Sequence, residues 1–274
     1  MIKVQILLAT YNGEKYLSDQ LKSILDQTFQ NWELLISDDN STDNTQIIID
    51  QFLKLYPSKI RQVHVDKKGS STANFMSLLN FVTAPYIMFC DQDDYWHNNK
   101  MENSVECIER VVEKNKVALV YTDMEVVDSE LKILYSSFLK QQGLNPKWRN
   151  SSNAVFSQSM AAGCSMIFTK SLIDCLHPIQ EKLFQHDHWI LMHAAFYGKV
   201  EFIPKSLVKY RQHQHNAIGS HHSGINYFFG KLKDLNKIIQ RWVYIKAQFG
   251  SSISLFNLGI IKFKLNMLRL LSKR

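Results

Sequence analysis

The first hundred residues of this chain alternate short apolar runs with longer amphipathic segments, and this alternation constrains the fold more than any other feature. Apolar residues recur in the longer segments at helical spacing, so these segments predict helices between strands. Such alternation is typical of an α/β fold with a mostly parallel sheet covered by helices. The predicted strands are 4–10, 32–38, 60–65 and 86–90, and the predicted helices are 14–28, 42–55 and 71–81.

Polar clusters follow three of these predicted strands. Thr10-Tyr11, Asp38-Asp39 and the segment 91–94 each come directly after an apolar run. In open sheets of this type, ligands bind beyond the carboxyl ends of the strands. The sequence therefore predicts that three separate polar clusters converge on one edge of the sheet.

The acidic cluster Asp91-Gln92-Asp93-Asp94 is the most specific of the three. Carboxylates at the end of a buried strand are costly unless a cation or a hydrogen-bonding ligand meets them. Mg²⁺ and Mn²⁺ are hard cations that take oxygen ligands and bring substrate phosphates with them. The cluster indicates a metal–diphosphate site, although a solvated acidic turn explains the tetrapeptide alone equally well.

Composition limits the size and the compartment of the protein. The chain has 274 residues, 45% of them hydrophobic, which is enough for one large domain or for one domain with an appendage. The apolar start of the chain runs into a turn at 10–13 and lacks a cleavage site, so it predicts a first strand and a cytoplasmic protein. The cysteines form no C-x-x-C pair and are expected to be reduced; they are Cys90, Cys107, Cys164 and Cys175.

The net charge of +7 is unevenly distributed. Residues 225–274 contain ten Lys or Arg and one acid, giving +9, so the remainder carries −2. This distribution argues against a nucleic-acid-binding surface and for a local anionic partner. A basic amphipathic helical tail, broken near 250–252, is expected to lie on an anionic membrane surface. The alternative is a tail that packs on the rest of the chain, or on a second copy in a homodimer.

The second half of the chain is less regular. The pattern predicts a helix at 98–114, a strand at 117–123 and a hairpin over 126–134. Segment 140–153 is polar, contains Gly and Pro, and predicts a mobile loop. A strand is expected after 162–165, a helix from His186 to about Gly198, and two short strands, 199–203 and 206–212, on either side of Pro204.

Six motifs in this order resemble those of family 2 inverting glycosyltransferases with the GT-A fold, closest to bacterial rhamnosyltransferase-like members. The motifs are Ala9-Thr10-Tyr11-Asn12-Gly13, the segment 36–43, the segment 90–96, Ala162-Gly163-Cys164, His186-Asp187-His188-Trp189, and Tyr210-Arg211-Gln212-His213 with Asn216. The resemblance covers roughly residues 2–219. It implies transfer of a sugar from a nucleotide-diphospho-sugar, with inversion, onto a lipid-linked bacterial surface polysaccharide at the inner face of the cell membrane.

The resemblance also divides the chain and implies a donor site. Residues 1–224 would form the GT-A domain, with a nucleotide-sugar half at 1–100 and an acceptor half at 101–224, followed by the tail at 225–274. The donor would be dTDP-rhamnose or a UDP-hexose. Residue type alone favours packing for Thr10 and Tyr11 and a turn role for Asp39. The implied nucleotide-sugar-binding residues are Thr10, Tyr11, Asn12, Asp39, Asp91, Gln92 and Arg211.

The same resemblance implies the metal site and the catalytic base. Asp93 and His213 would hold Mg²⁺ or Mn²⁺, although His213 also lies in a His-rich stretch of surface character. An inverting transferase needs a base to take the proton of the attacking hydroxyl, and this role falls to Asp187. Asp is also favoured at helix N-termini for structural reasons. The implied acceptor-binding residues are Gly163, Cys164 and Trp189, although a tryptophan is more often a core residue.

Three rival functions fit parts of the sequence. A metal-dependent hydrolase would use His186, Asp187, His188 and His193, but it leaves the acidic clusters unexplained. A nucleotidyltransferase would need a glycine-rich basic loop after the first strand, and Asn12-Gly13-Glu14 has a different character. A non-catalytic membrane-associated scaffold with a transferase fold is the third, and it conflicts with the filled catalytic positions.

Overall fold

The computed structural model describes residues 3–64, 66–213, 235–250 and 254–271. Its described strands form one mixed sheet in the order β3-β2-β1-β4-β8-β6-β9-β5, with β7 paired to β6. The strands are β1 Val4–Thr10, β2 Trp32–Asp38, β3 Ile60–Gln62, β4 Tyr86–Cys90, β5 Tyr95–Trp96, β6 Ala118–Val127, β7 Ile133–Tyr135, β8 Met166–Thr169 and β9 Lys199–Arg211.

The amino-terminal half of the sheet is parallel, as its strand–helix alternation predicts. β1 lies between β2 and β4, and β3 extends the sheet beyond β2. The register pairs Thr10 with Asp38 and Leu8 with Cys90. The three polar clusters therefore begin at one edge of the sheet, and this prediction is confirmed.

The other half of the sheet is mostly antiparallel. β8 runs antiparallel to both β4 and β6, while β9 runs parallel to β6. The prediction of two strands around Pro204 is wrong, because β9 is continuous from Lys199 to Arg211. Thr122 pairs with Ile203 and Asp123 with Ser206, so Pro204 falls in a bulge. Proline lacks an N–H and is tolerated at such a position.

The described helices cover both faces of the sheet. They are α1 Leu17–Leu25, α2 Thr45–Leu55, α3 Ser71–Leu78, α4 Lys100–Val112, α5 Phe138–Gln142, α6 Ser152–Ser157, α7 Lys170–Ile173, α8 His186–Tyr197, α9 Leu235–Phe249 and α10 Leu255–Leu271. Three further segments, Leu79–Phe81, Pro146–Asn150 and Gly163–Ser165, form 3₁₀ turns.

The polar segment 140–153 is ordered into helical turns, so the prediction of a mobile loop is wrong. Polar residues in this segment and just before it act as caps. Ser137 accepts the N–H of Lys140, and Ser151 accepts the N–H of Ala154. Gly143 ends α5 with a left-handed φ of 63°. Such side-chain caps satisfy N–H groups that a short helix leaves without partners.

Two apolar clusters lie on opposite faces of the sheet. One includes Leu7 and Phe89, and the other includes Leu8 and Met88, because successive strand residues point to opposite faces. Each fully buried Leu, Met or Phe side chain contributes about 1.5–3 kcal/mol to the free energy of folding. Together the clusters fix the sheet edge that carries the polar groups.

The two carboxyl-terminal helices pack on the face that carries α6 and α8. Ile245 and Phe249 of α9, with Leu258 of α10, belong to the same buried cluster as Trp189. The outer side of α10 leaves Phe256 and Phe263 exposed. The predicted helical tail is confirmed for the described part, whereas the proposed boundary at Gly224 and residues 225–234 lie outside the described residues. None of the described helices is both long and apolar enough to cross a membrane.

Candidate active site

Two cavities meet at the acidic cluster. The first, of about 400 Å³, is lined by Thr10, Tyr11 and Asp39 from the ends of β1 and β2. The second, of about 510 Å³, is lined by Gly163, His186 and Asp187. Asp91 and Asp93 line both cavities. The site therefore offers two adjoining compartments with carboxylates at their junction.

The Gln92 side chain ties the first cavity to the acidic cluster. Its Oε1 accepts hydrogen bonds from the Thr10 hydroxyl at 2.5 Å and from the Tyr11 N–H at 2.9 Å, and its Nε2 donates to the Tyr11 carbonyl at 3.1 Å. A side chain on Gly13 would clash with it, because a Cβ there would lie 2.5 Å from the Gln92 Oε1. Gln92 thus orients the loop after β1 in addition to lining the cavity.

Tyr11 and Asp39 both line the first cavity. Tyr11 is 49% exposed, which leaves its ring accessible to a ligand. Asp39 is buried, and its two carboxylate oxygens accept the N–H groups of Lys68 and Gly69 at 2.5 and 2.8 Å. Each carboxylate oxygen has two lone pairs, so Asp39 keeps acceptor capacity for a ligand.

Asn12 and Asp38 shape the loops around this cavity. Asn12 has a φ of 48°, and its side-chain oxygen accepts the Thr42 N–H at 2.8 Å. It is not among the residues that line the cavity, and its side chain makes a loop contact, so direct nucleotide binding by Asn12 stays a prediction. Ser41 donates to Asp38 and accepts from Asn12, so it is held in the loop, and α2 begins at Thr45 rather than at the predicted residue 42.

The carboxylates of the acidic cluster differ in burial: Asp91 and Asp93 are partly exposed, and Asp94 is buried. Burial, with the nearby charges of Asp93 and Asp187, raises the pKa of Asp91 to about 7. Asp94 is fully buried, and burial raises the pKa of its carboxyl well above the usual value. The Asp94 Oδ1 accepts the Arg211 N–H at 3.1 Å. Asp94 is therefore a structural acid that anchors the end of β9.

The residues at the cavity junction fit a hard divalent cation. The Asp93 Oδ2 lies 2.9 Å from the Nε2 of His213, so the two predicted metal ligands meet. Asp91 adds a carboxylate that burial and neighbouring charge make costly to ionise, and a cation would relieve that cost. A tighter group of Asp91, Asp94 and Cys164 has donor atoms within 4.8 Å of one another. Asp91 and Asp93 line both cavities, whereas Asp94 and Cys164 line neither, so an ion that also touches a ligand fits the Asp91 and Asp93 carboxylates better, with His213 beside Asp93.

Three predicted ligand-binding side chains lie away from the cavities. The Arg211 guanidinium donates to the Ser129 carbonyl and to Asp19 and stacks over Tyr16, so it is a buried structural group rather than a diphosphate contact. Cys164 is fully buried with its Sγ 3.7 Å from the Sδ of Met124.

Trp189 is also fully buried. Its Nε1 donates to the His177 carbonyl at 3.0 Å, and its ring packs against Phe184. The expected acceptor-binding roles of Cys164 and Trp189 are therefore corrected to packing in the core.

Lys100 is a buried cation that sequence reasoning missed. Its Nζ lies 3.5 Å from the centroid of the Trp96 ring and has no hydrogen-bond partner among the residues that the structure describes. Burial lowers the pKa of Lys100 to about 7, while the nearby Cys164, Cys90 and Asp94 oppose the shift. The nearby Asp94 carboxyl is thus one of the groups that favour the charged form of Lys100. The place of Lys100 at the start of a predicted helix gave no signal of this.

Asp187 lies at the amino-terminal end of α8. Its carboxylate accepts the backbone N–H of His188 at 2.5 Å and lies beside Gly163, and burial raises its pKa to about 6. Gly163 allows this approach, because a Cβ there would lie 2.9 Å from the Nε2 of His186. A carboxylate with this pKa is ionised at pH 7 and yet basic enough to accept a proton.

The histidines of α8 do not form a zinc site. The His188 ring contacts the Val155 carbonyl and Arg241, and the His193 ring contacts the Trp189 carbonyl and the His177 N–H. Burial lowers the pKa of His186 to about 3. Within the described part of the chain, no candidate metal group includes these rings. The described histidines therefore do not support the zinc site that the hydrolase hypothesis requires.

A mixed sheet that opens at its edge on an acidic two-cavity site defines a GT-A-type glycosyltransferase. The chain belongs to glycosyl transferase family 2, whose family model matches residues 5–172. Over 248 residues it is 30% identical to the dTDP-rhamnosyl transferase RfbG of Shigella flexneri, covering 86% of this chain and 80% of that protein.

A second relative and a solved structure support the same family and fold. The UDP-Glc:alpha-D-GlcNAc-diphosphoundecaprenol beta-1,3-glucosyltransferase WfgD of Escherichia coli is 29% identical over 150 residues, which cover 52% of this chain and 56% of that protein. The mannosyltransferase PcManGT from Pyrobaculum calidifontis, solved with GDP-Man and Mn²⁺, aligns with a TM-score of 0.63 at 13% identity over 98% of this chain and 73% of that chain.

Proposed function

We propose that this protein transfers a sugar from a nucleoside diphosphate to an acceptor hydroxyl, with inversion at the anomeric carbon. The observation that carries the proposal is the position of Asp187. It lines the second cavity, and its charge raises the pKa of Asp91, which lines both cavities. A donor in the first cavity and an acceptor in the second would meet at these carboxylates.

The residues divide the chemical work. Asp187 takes the proton of the acceptor hydroxyl as that oxygen attacks the anomeric carbon, and the nucleoside diphosphate leaves from the opposite face. Asp93 and His213, with Asp91, would hold Mg²⁺ or Mn²⁺. A divalent cation supplies positive charge to a departing diphosphate. Tyr11, Asp39 and the Gln92-held loop bind and orient the nucleoside.

The proposed donor is dTDP-rhamnose, with a UDP-hexose as the alternative. Similarity to the dTDP-rhamnosyl transferase RfbG supports rhamnose, and similarity to the UDP-Glc-dependent WfgD supports the alternative. The proposed acceptor is a lipid-linked glycan of a growing bacterial surface polysaccharide. The name of WfgD, which acts on a diphosphoundecaprenol-linked sugar, supports that acceptor class.

The proposed location is the cytoplasmic face of the cell membrane, with peripheral attachment through the tail. Phe256, Ile260, Phe263 and Met267 form an exposed stripe along α10, and Lys264 lies exposed on the same helix. Apolar side chains flanked by cations are typical of helices that lie on anionic bilayers. Because α9 and α10 also pack into the core, removal of the whole tail would damage the fold. Replacing Phe256 and Phe263 by Ser should instead reduce co-sedimentation with anionic vesicles without lowering the Tm.

Transfer of radiolabelled sugar tests the proposed function. Wild-type protein with Mn²⁺ should move label from dTDP-rhamnose or UDP-glucose into a lipid-extractable acceptor from bacterial membranes, and NMR should find an inverted anomeric configuration. Asp187→Asn should reduce transfer by about a hundredfold or more. Retention of configuration, or transfer by Asp187→Asn at the wild-type rate, would contradict the mechanism.

A further inference from the structure

Arg241 of α9 brings a guanidinium to the second cavity, far in sequence from every family motif. Its Nη2 lies 3.0 Å from the Nδ1 of His188, and its guanidinium lies 5.0 Å from the centroid of the Phe184 ring. The His188 Nε2 lies 2.7 Å from the Val155 carbonyl, to which it donates. Its Nδ1 is therefore the acceptor that orients Arg241.

His188 stays neutral beside Arg241. Burial is the largest cause that lowers the pKa of His188 to about 3, and the Arg241 charge adds to it. A neutral ring accepts the guanidinium N–H without repelling it. The arrangement positions a cation at the wall of the cavity through contacts within the folded chain.

No acid forms an ion pair with Arg241 in the described ranges 3–64, 66–213, 235–250 and 254–271. Guanidinium groups have five donors, and one of them is used by His188. A half-buried cation that lacks a bonded anion is costly. Burial lowers the pKa of Arg241, and the charge of Asp187 opposes this shift without forming an ion pair. The cost would be recovered if a ligand supplied the missing anion.

Two further cations from the carboxyl-terminal helices line the same cavity. Lys237 lies one helical turn before Arg241, and Lys262 of α10 donates from its Nζ to the Gln158 Oε1 at 2.6 Å. Residues four apart on a helix share one face. Three cations therefore border the cavity on the side of α9 and α10, while Asp91, Asp93 and Asp187 border it at the junction with the first cavity.

We propose that Arg241, with Lys237 and Lys262, binds a diphosphate ester carried by the acceptor. This inference rests on the proposed function, because it assigns the second cavity to the acceptor. Three cations suit an anion with more than one charge better than a single carboxylate, and a guanidinium binds phosphate oxygens in a fork. The carboxylates at the junction separate this site from the first cavity. The donor diphosphate would therefore be met by the divalent cation, and the acceptor diphosphate by the three side-chain cations.

The same phosphate chemistry has two sources, the diphosphate of an acceptor and the head group of a phospholipid. The exposed stripe of α10, led by Phe256 and Phe263, belongs to the tail surface and not to the residues that line the cavity. We therefore assign the cavity cations to the acceptor and the exposed stripe to the bilayer.

Titration calorimetry with inorganic pyrophosphate in EDTA tests the site on the full-length chain. EDTA silences any metal-dependent binding at the donor site. Wild-type protein should bind pyrophosphate, and R241Q should bind it at least about tenfold more weakly, as expected for a lost charge-assisted contact. K237Q, which changes an exposed side chain and should leave the fold intact, should weaken binding about threefold. The matched control K264Q changes an exposed lysine outside the cavity and should bind as wild type does.

Two further measurements on the same samples separate the sources of phosphate. R241Q should keep wild-type affinity for nucleoside diphosphate with Mn²⁺, and should co-sediment like wild type with phosphatidylglycerol-containing vesicles. Absence of pyrophosphate binding by the wild type, or equal affinity in wild type, R241Q and K237Q, overturns the proposal. Loss of nucleotide affinity in R241Q also overturns the proposal. The same holds if R241Q loses vesicle binding but keeps wild-type affinity for pyrophosphate. If wild type binds no nucleotide yet binds pyrophosphate through Arg241, the proposed function fails while the anion site stands.

Discussion

The Asp187 side chain lies against the backbone of Gly163, where a Cβ would come 3.7 Å from the Asp187 Cβ, and this contact joins the amino-terminal end of α8 to the turn before β8. The glycine leaves room for the His186 ring on the same side, with its Nε2 2.9 Å from the position of a Cβ. Gly163, more than twenty residues before Asp187 in the sequence, thus helps to position the proposed base because it has no side chain.

Gly163→Ala should therefore displace His186 and Asp187 and lower kcat by about ten- to a hundredfold, since small misplacements of a catalytic group are costly. Nucleotide affinity should not change, because the first cavity does not include this turn. Steady-state kinetics and calorimetry measure the two effects. The control is Gly259→Ala on α10, where a Cβ would lie 3.4 Å from Trp242 in ordinary contact. Normal kcat in Gly163→Ala would contradict this account of Asp187.

Asp187→Asn should lower turnover by about 10²- to 10⁴-fold, the usual contribution of a general base. Nucleotide affinity should remain at the wild-type value, and the exposed control Asp174→Asn should behave as wild type does. A parallel loss of nucleotide binding would assign Asp187 to the donor instead of to the acceptor.

The same variant makes a prediction about stability. The pKa of Asp187 rises from 3.8 to about 6 on folding, so ionisation costs stability in the folded protein. That cost is absent below about pH 4 and complete above about pH 6. At pH 7.5 Asp187→Asn should therefore not lower the Tm in a thermal melt.

The rate of transfer should depend on the ionisation of Asp187. Since burial raises its pKa to about 6, kcat should be flat near pH 7.5 and fall about tenfold for each unit below pH 6. A pH–rate profile at saturating donor, acceptor and Mn²⁺ measures this directly. A profile that stays flat down to pH 4.5 would exclude Asp187 as the base.

Gln92→Ala should weaken nucleotide binding by roughly tenfold, because it removes three hydrogen bonds that hold Thr10 and Tyr11 at the first cavity. The exposed helical control Gln51→Ala should have no effect. Calorimetric titration compares the two variants. Unchanged affinity in Gln92→Ala would mean that the loop after β1 is held by other contacts.

The sheet and its polar edge could be predicted from sequence because strand patterns are local. The bounds of β1, β2 and β4 match their apolar runs, and the clusters at Thr10 and Asp38 follow from the parallel register. Helix ends are less predictable, because the caps Ser137 and Ser151 are serines, and serine is common in loops as well as at helix ends.

The roles of individual side chains required the tertiary structure. Arg211 contacts Asp19 at a separation of 192 residues, and nothing local indicates that its guanidinium turns away from the cavities. Trp189 belongs to a residue type that serves both sugar stacking and core packing. Arg241 was counted only as one cation of a basic tail, because the face of α9 that meets the cavity depends on how the helix packs.

Metal-dependent nucleotide binding tests the central claim most directly. Purified protein is titrated calorimetrically with dTDP and with UDP, each with and without Mn²⁺, beside Asp93→Ala and the exposed control Glu106→Ala. One nucleotide should bind wild type and Glu106→Ala only when Mn²⁺ is present, and Asp93→Ala should lose this binding. No binding of either nucleotide to wild-type protein under any of these conditions would contradict the account.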